Sequence, residues 1–278
     1  MDYSQKALTF GDDKRSSREL AVAAGIAPAP KSAGAAKTIS DLYLADAEAG
    51  VLEAARCQAL EELKDRLAAG LPHNSSETRV RSARFVIRWF FPDGIDGIAS
   101  KAWSAYQDKK ILGDVLRYLY LSQEPVMGAC VEQCLFPIET GMRLPKAVFD
   151  RYLTGYYREL PSKKTSQRLK TNLIKLGFLE RLTGDEHRLL PVHPAKTSLL
   201  LLAHYLFAPA GARTVELSRL LADPFWKYLG FKREDEVRGV LREADVTGVL
   251  GKYVVADRLE QITTRFGIDD FLANKARV

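Results

Sequence analysis

The chain is poor in the residues that most directly reveal chemistry. It has three cysteines in 278 residues. An odd, small number excludes a disulfide-stapled framework. Cys130 and Cys134 stand four apart, on one helical face. A zinc site needs four ligands at ordered spacing, yet the four histidines are scattered and no second cysteine pair exists. Buried free thiols are therefore expected, in a reducing, cytoplasmic compartment. Long hydrophobic runs are also missing. The longest, Ser198 to Ala212, is broken by His204 and Pro209. It falls short of the roughly 20 residues a bilayer requires, so it reads as a buried helix and no membrane partner is expected. The opening stretch MDYSQKALTFGDDKR lacks the apolar segment of a signal peptide.

Catalytic motifs are absent as well. There is no glycine-rich phosphate loop, no GxSxG elbow and no HExxH, which removes the commonest nucleotide hydrolases, serine hydrolases and zinc proteases. Asp93, Asp96 and Lys101 resemble a metal-dependent nuclease only faintly. Such a site needs acids and a lysine gathered around one scissile phosphate, and Asp93 at a helix start reads more simply as a cap. The expectation is a protein that is not an enzyme and takes no cofactor or metal.

What the chain does have is apolar content sufficient for a core, 46%, and a net charge of +6. The excess is uneven. From Arg79 to Lys110 there are seven Lys/Arg against three acids, and from Pro161 to Lys196 eight against three. Asp41 to Arg66 leans acidic. Local basic stripes are the footprint of phosphate contact.

The most informative stretch is Pro161 to Val192. Leu169, Leu173 and Leu176 form an apolar seam, and Lys164, Gln167, Arg168, Thr171 and Lys175 gather on the other side, with Lys163 beside them. Gly177 reads as the C-cap. Two short strands then flank Gly184-Asp185-Glu186, the second carrying His187 and Arg188. With the aromatic helix Lys146 to Glu159 before it, this is the order of a winged helix-turn-helix. A surface helix made soluble by ordinary charge is the competing account. His187 and His193 flank a strand without nameable metal partners. Lys164, Gln167, Arg168, Thr171 and Lys175 are expected to meet the groove and its phosphates, and Arg188, with His187 on the hairpin surface, an adjacent stretch of backbone.

The remaining elements read as helices. Ser40 to Ala69 is expected as one helix, capped by Ser40 and striped by Leu42, Leu44, Ala45, Leu52, Ala55 and Leu63. Glu77 to Phe91 places Val80, Ala83, Ile87 and Phe90 on one face, with Arg81, Arg84 and Arg88 beside it. With Arg79, these arginines either track a second stretch of phosphates or pair with Glu61, Glu62 and Asp65. Helices are also expected over Ile95 to Asp108 and Lys110 to Ser122. The last third repeats the grammar. Thr214 to Leu221 and Glu234 to Ala244 read as helices, and Val249 to Val255 with Arg258 to Thr264 as a hairpin. Gly248-Val249-Leu250 parallels Gly177-Phe178-Leu179, which points to a second winged-helix-like unit. Its outer face carries Asp235, Glu236, Arg242 and Glu243, a mostly acidic set unsuited to phosphate.

Three stretches carry a family resemblance. They are NSSETRVRSARFVIRWFF, Lys110 to Leu116 with its Leu-Gly-Asp core, and SKKTSQRLKTNLIKLGFLE with its trailing hairpin and Leu190-Pro191-Val192. In their order and spacing, over about residues 74–207, the chain resembles the BrxA family of the BREX phage-defence systems. The final seventy or so residues depart from that pattern. The resemblance implies a mostly helical, non-enzymatic protein with winged-helix character that binds double-stranded DNA beside other defence proteins, such as methyltransferase or ATPase subunits. The expected fold is mainly α, a helical bundle with winged helix-turn-helix units carrying short β-hairpins. Its expected divisions are a loop-rich arm over 1–39, a helical domain over 40–140, a DNA-binding unit over 141–197 and a second unit over 198–278.

Overall fold

The structure, a computed structural model, describes residues 39–256 and 259–274. The loop-rich arm expected over 1–39 lies outside the described residues except for Ile39, which is buried in the core. The protein is mainly α, with two small antiparallel sheets of three strands each. No helix among the described residues is long and apolar enough to cross a membrane.

Five helices come first: α1 (Leu44–Ala54), α2 (Leu60–Gly70), α3 (Ser76–Phe90), α4 (Ile98–Tyr106) and α5 (Lys109–Gln123). The single helix expected over Ser40 to Ala69 is thus two, and Ser40 caps neither. Glu62 fastens the entry to α2, its carboxylate accepting the Gln58 N–H (2.9 Å) one residue before the N-cap Ala59. Leu52, expected on the apolar stripe, is exposed, while Ala47, Val51 and Ala54 are buried. Likewise Val80 is exposed on α3, which buries Ser82, Ala83, Val86, Trp89 and Phe90 instead. Ser75 caps α3 by accepting the Thr78 N–H at 3.1 Å, and Asp108 caps α5. Helix α5 is the axis of the molecule, packed against α1, α3 and α4.

Two units of the same design follow. In the first, α6 (Pro125–Cys130) runs on as a π-helical turn (Val131–Leu135), then come β1 (Arg143–Leu144), α7 (Lys146–Tyr157), α8 (Lys163–Lys175), β2 (Leu179–Arg181) and β3 (His187–Leu189). In the second, α9 (Lys196–Phe207) leads to β4 (Thr214–Glu216), α10 (Leu217–Ala222), α11 (Phe225–Leu229), α12 (Glu234–Val246), β5 (Leu250–Ala256), β6 (Leu259–Thr264) and α13 (Ile268–Ala273). The sheets have matching strand orders, β1-β3-β2 and β4-β6-β5. Each unit runs helix, strand, helices, hairpin, with two helices between strand and hairpin in the first and three in the second. Residues 214–216, expected as the start of a helix, form the strand that pairs with β6; three residues of alternating burial suit an edge strand better than a helical turn.

The parallel between the two glycines holds at the level of atoms. Gly177 and Gly248 both have positive φ (81° and 74°). Gly177 N–H donates to the Ile174 carbonyl (2.9 Å) and Phe178 N–H to that of Leu173 (3.0 Å). Gly248 donates to Asp245 (3.0 Å) and Val249 to Ala244 (2.8 Å). Both are Schellman stops, in which a left-handed residue lets the chain turn back over the last carbonyls and enter a strand.

A buried ionic group holds the units to the bundle. Asp114 of α5 accepts from the Ala195 N–H and the Ser198 hydroxyl, both at 2.8 Å, at the start of α9. Its other oxygen meets Arg117 at 2.8 Å. Arg117 in turn donates to the carbonyls of Leu176 (2.9 Å) and Leu229 (3.3 Å), the ends of α8 and α11. Lys232 adds a second tie. Its ammonium donates to the Leu135 carbonyl at the end of the π-helical turn (2.8 Å) and to that of Ile138 beyond it (3.0 Å), and burial pushes its pKa down to about 8. Cys130 and Cys134 are buried and free.

His204 of α9 lies inside the core against Phe271, ring centroids 4.2 Å apart. Nδ1 sits 2.7 Å from the Leu200 carbonyl, whereas Nε2 has no partner among the described residues. Burial pushes its pKa down to about 4. An unfolded histidine takes up a proton near pH 6.5, so between pH 6.5 and 4 only the unfolded chain is protonated at this position. Stability is then lost as the pH falls, by at most about 3 kcal/mol over the window. His204→Leu is expected to flatten this loss in urea melts at pH 7, 5.5 and 4.5; an unchanged slope would assign the acid sensitivity to other groups.

Candidate nucleic-acid interface

Helix α8 begins at Ser162, whose hydroxyl accepts the Thr165 N–H at 3.1 Å. It buries Leu169 and Leu173, and Leu176 just beyond its end, the expected seam. Around that seam the helix has two flanks and an outer face, and the structure uses each differently.

One flank is taken by the chain itself. Residues 39–42 run extended along it. Arg168 grips Asp41 with both Nε (3.0 Å) and Nη2 (2.7 Å), and donates to the Ile39 carbonyl at 3.1 Å. Asn172, fully buried, accepts the Leu42 N–H (3.1 Å) and donates to the Ser40 carbonyl and the Tyr120 hydroxyl (2.8 Å each). Lys175 donates to the Leu42 carbonyl at 2.7 Å and lies over the Tyr43 ring. Arg168 and Lys175, expected to meet a duplex, therefore hold segment 39–42 in place. Asn172 was not singled out from the sequence, yet it is the centre of this clamp.

The outer face and the other flank remain open. Lys163, Lys164 and Gln167 are exposed and have no carboxylate partner among the described residues; Thr171 is half-buried. The flank toward the hairpin forms one wall of a cleft of about 680 Å³, where Lys163, Gln167, Lys170 and Thr171 face Arg181 and His187 of the wing. His187 is not the exposed phosphate contact expected of it. It is buried against Phe149, and its pKa is lowered, first by burial and then by the charges of Lys170 and Arg181. Arg188 is half-exposed but pairs across the strands with Glu180 at 2.9 Å. Lys170 and Arg181 escaped notice because a helical wheel ranks positions by distance from the seam and cannot show where a wing folds back.

The arginines of α3 divide. Arg79 donates to the carbonyls of Ala68 (3.1 Å) and His73 (2.8 Å), closing the end of α2. Arg81, Arg84 and Arg88 are exposed. Of the acids weighed as their partners, Glu61 pairs with Lys64 and Glu62 with Arg66. A chain of contacts links this helix to α8: Lys175 over Tyr43, Tyr43 edge-on to His73, and His73 accepting from Arg79.

The second unit closes the space that the first leaves open. Arg238 of α12 reaches its own wing at Glu260 (2.9 Å) and also pairs with Glu234 at 3.0 Å. Tyr253 donates to Glu260 at 3.0 Å, and Arg242 lies over the Tyr253 ring. The cations of that helix are thus neutralised internally. Of the residues weighed for a nuclease, Asp96 and Lys101 line one shallow pocket with Asp269, and Asp93 is not among its lining. Asp93 accepts from Tyr205 and caps no helix, while Lys101 pairs with Asp269 at 2.6 Å. Among the described residues, no cluster of three or more His, Cys, Asp or Glu is placed to hold a metal ion.

No family model matches the chain, and no curated protein matches it. Two solved structures share its fold. One is described as an SspB crystal structure, at 15% identity, and the other as a magnesium ion-bound SspB crystal structure, at 13%. Both have a TM-score of 0.52, with 86% of this chain and 87% of the other covered.

Proposed function

We propose that the protein is a non-enzymatic, double-stranded DNA-binding accessory component of a bacterial phage-defence system of the BREX kind, and that it binds largely through phosphates. The observation that carries this reading is the pair of exposed lysines at the start of α8, Lys163 and Lys164, which have no carboxylate partner among the described residues, beside an open basic cleft between helix and wing. A helix start carrying cations, next to a hairpin, is where a winged helix meets a duplex. The exposed Arg81, Arg84 and Arg88 supply a further basic stripe, and arginine forks suit phosphate oxygens. The defence context comes from the resemblance to the BrxA family.

Salt titration of binding to a random duplex tests this. The logarithm of the association constant should fall linearly with the logarithm of salt, by about 0.9 per phosphate contacted. Four to six contacts would give a slope of roughly −4 to −5. No shift of the duplex at low salt would sink the reading. A protein–protein scaffold for a larger methyltransferase or ATPase is the second reading, favoured by the acidic, internally paired face of α12. Co-purification with a large partner, without duplex binding, would support it.

A further inference from the structure

The cleft between α8 and its wing contains more charge than it neutralises. Lys170 is only 9% exposed and lines the cleft without an ion-pair partner among the described residues. A lysine this deep is nearly always paired. Lys163 and Arg181 face the same space and also lack a carboxylate partner among the described residues. Two carboxylates and a fourth cation, Lys146, share the lining, and neither carboxylate pairs with Lys170: Asp150 accepts from the Ser166 hydroxyl, and Asp185 lies 4.0 Å from Lys146, which leaves four cations to two acids in the cleft. His187 is buried in the same wall, and its Nδ1 has no hydrogen-bond partner among the described residues. A second and larger cleft, about 970 Å³ between the two units, is different. There Lys232 is saturated by carbonyls and Lys196 is paired with Glu243.

We infer that the helix–wing cleft is a binding site for a phosphate group, with Lys170 as its deep cation and Lys163 and Arg181 at its mouth. A phosphate oxygen would accept from the Lys170 ammonium, giving the buried charge the ion pair that none of the described residues makes with it. The volume of about 680 Å³ is that of a small-molecule site, so the phosphate can arrive with its sugar attached. Apolar Leu160, Pro161 and Ile174 line the same cleft. Taking that phosphate to be borne by nucleic acid rests on the DNA-binding reading above; the pocket's chemistry does not. Two sources share it, a phosphomonoester at a strand end and a phosphodiester within a strand.

Inorganic phosphate, titrated against the full chain at constant ionic strength in chloride and followed by phosphorus NMR, should bind saturably. Lys170→Met should weaken it at least tenfold. Because that substitution lies in the core, Arg181→Gln at the exposed mouth serves as the second variant and should weaken binding several-fold with an unchanged melt. A 5′-phosphorylated short duplex binding more tightly than its 5′-hydroxyl twin marks the strand end as the source. Equal binding by both, with loss of phosphate binding on adding closed circular duplex, marks the internal phosphodiester. No saturable phosphate binding by the wild type, or equal binding by wild type and both variants, overturns the site. Duplex binding that persists alongside such a result leaves the DNA reading standing. Phosphate binding without duplex binding removes the DNA reading and keeps the site.

Discussion

Asp114→Ala should lower stability by about 3 to 5 kcal/mol, the cost of leaving a buried charge without its partner. The substitution strands the Arg117 guanidinium, leaving it two carbonyls and the Phe178 ring but no carboxylate among the described residues. It also removes the acceptor of the Ala195 N–H and the Ser198 hydroxyl at the start of α9. In a chain of this size each kcal/mol moves the melting temperature by about 2 to 4 °C, so a drop of roughly 10 °C is expected by calorimetry. Asp114→Asn keeps an acceptor oxygen and should fall between the two. A melt of Asp114→Ala within 2 °C of wild type would mean that the units are held to the bundle by apolar packing alone. Asp114 belongs to the Leu-Gly-Asp stretch quoted in the resemblance to the BrxA family. Its position gives that stretch a structural task, joining α5 to the ends of α8, α9 and α11, instead of a place on the binding surface.

The pattern of turns and seams was readable because its physics is local. Gly177 and Gly248 stop helices for a reason contained within a few residues, the need for positive φ. The Leu169, Leu173 and Leu176 seam needs only the helical period. The same locality gave the hairpins and the repeated unit. What stayed hidden depends on partners far along the chain. Asp41 and Arg168 are 127 positions apart, and nothing in either neighbourhood announces the pair. The wheel of α8 ranked Arg168 and Lys175 with Lys164 because all lie away from the leucines; it could not show that an extended segment covers one flank. His187 was read as exposed because a short strand of alternating residues has two faces, and the sequence does not say which one Phe149 will cover. The break between α1 and α2 is hidden because Glu62, which accepts the Gln58 N–H, looks in the sequence like a partner for the arginines of α3.

This division of α8 into a covered flank and an open face predicts that its cations will behave in two ways. Lys163→Glu/Lys164→Glu should leave the melt unchanged, since both side chains are exposed and without partners among the described residues. Duplex affinity should fall roughly ten- to hundredfold near 0.1 M salt, because each charge-assisted contact is worth about 1 kcal/mol or somewhat more. The salt slope should flatten by about two units, one per lost phosphate contact. Arg168→Ala should do the reverse. It releases the two-pronged grip on Asp41 and the bond to the Ile39 carbonyl, and a half-exposed pair with an added carbonyl contact is worth about 1 kcal/mol. Stability should drop by that amount, with the salt slope of the remaining folded protein unchanged. Asp41→Ala should lose most of the same stability, and the double variant should lose little more than either single one, the mark of two residues acting on each other. If the slope instead flattens with Arg168→Ala and holds with the lysine pair, the duplex meets the flank that segment 39–42 covers, and that segment must leave α8 for binding to occur.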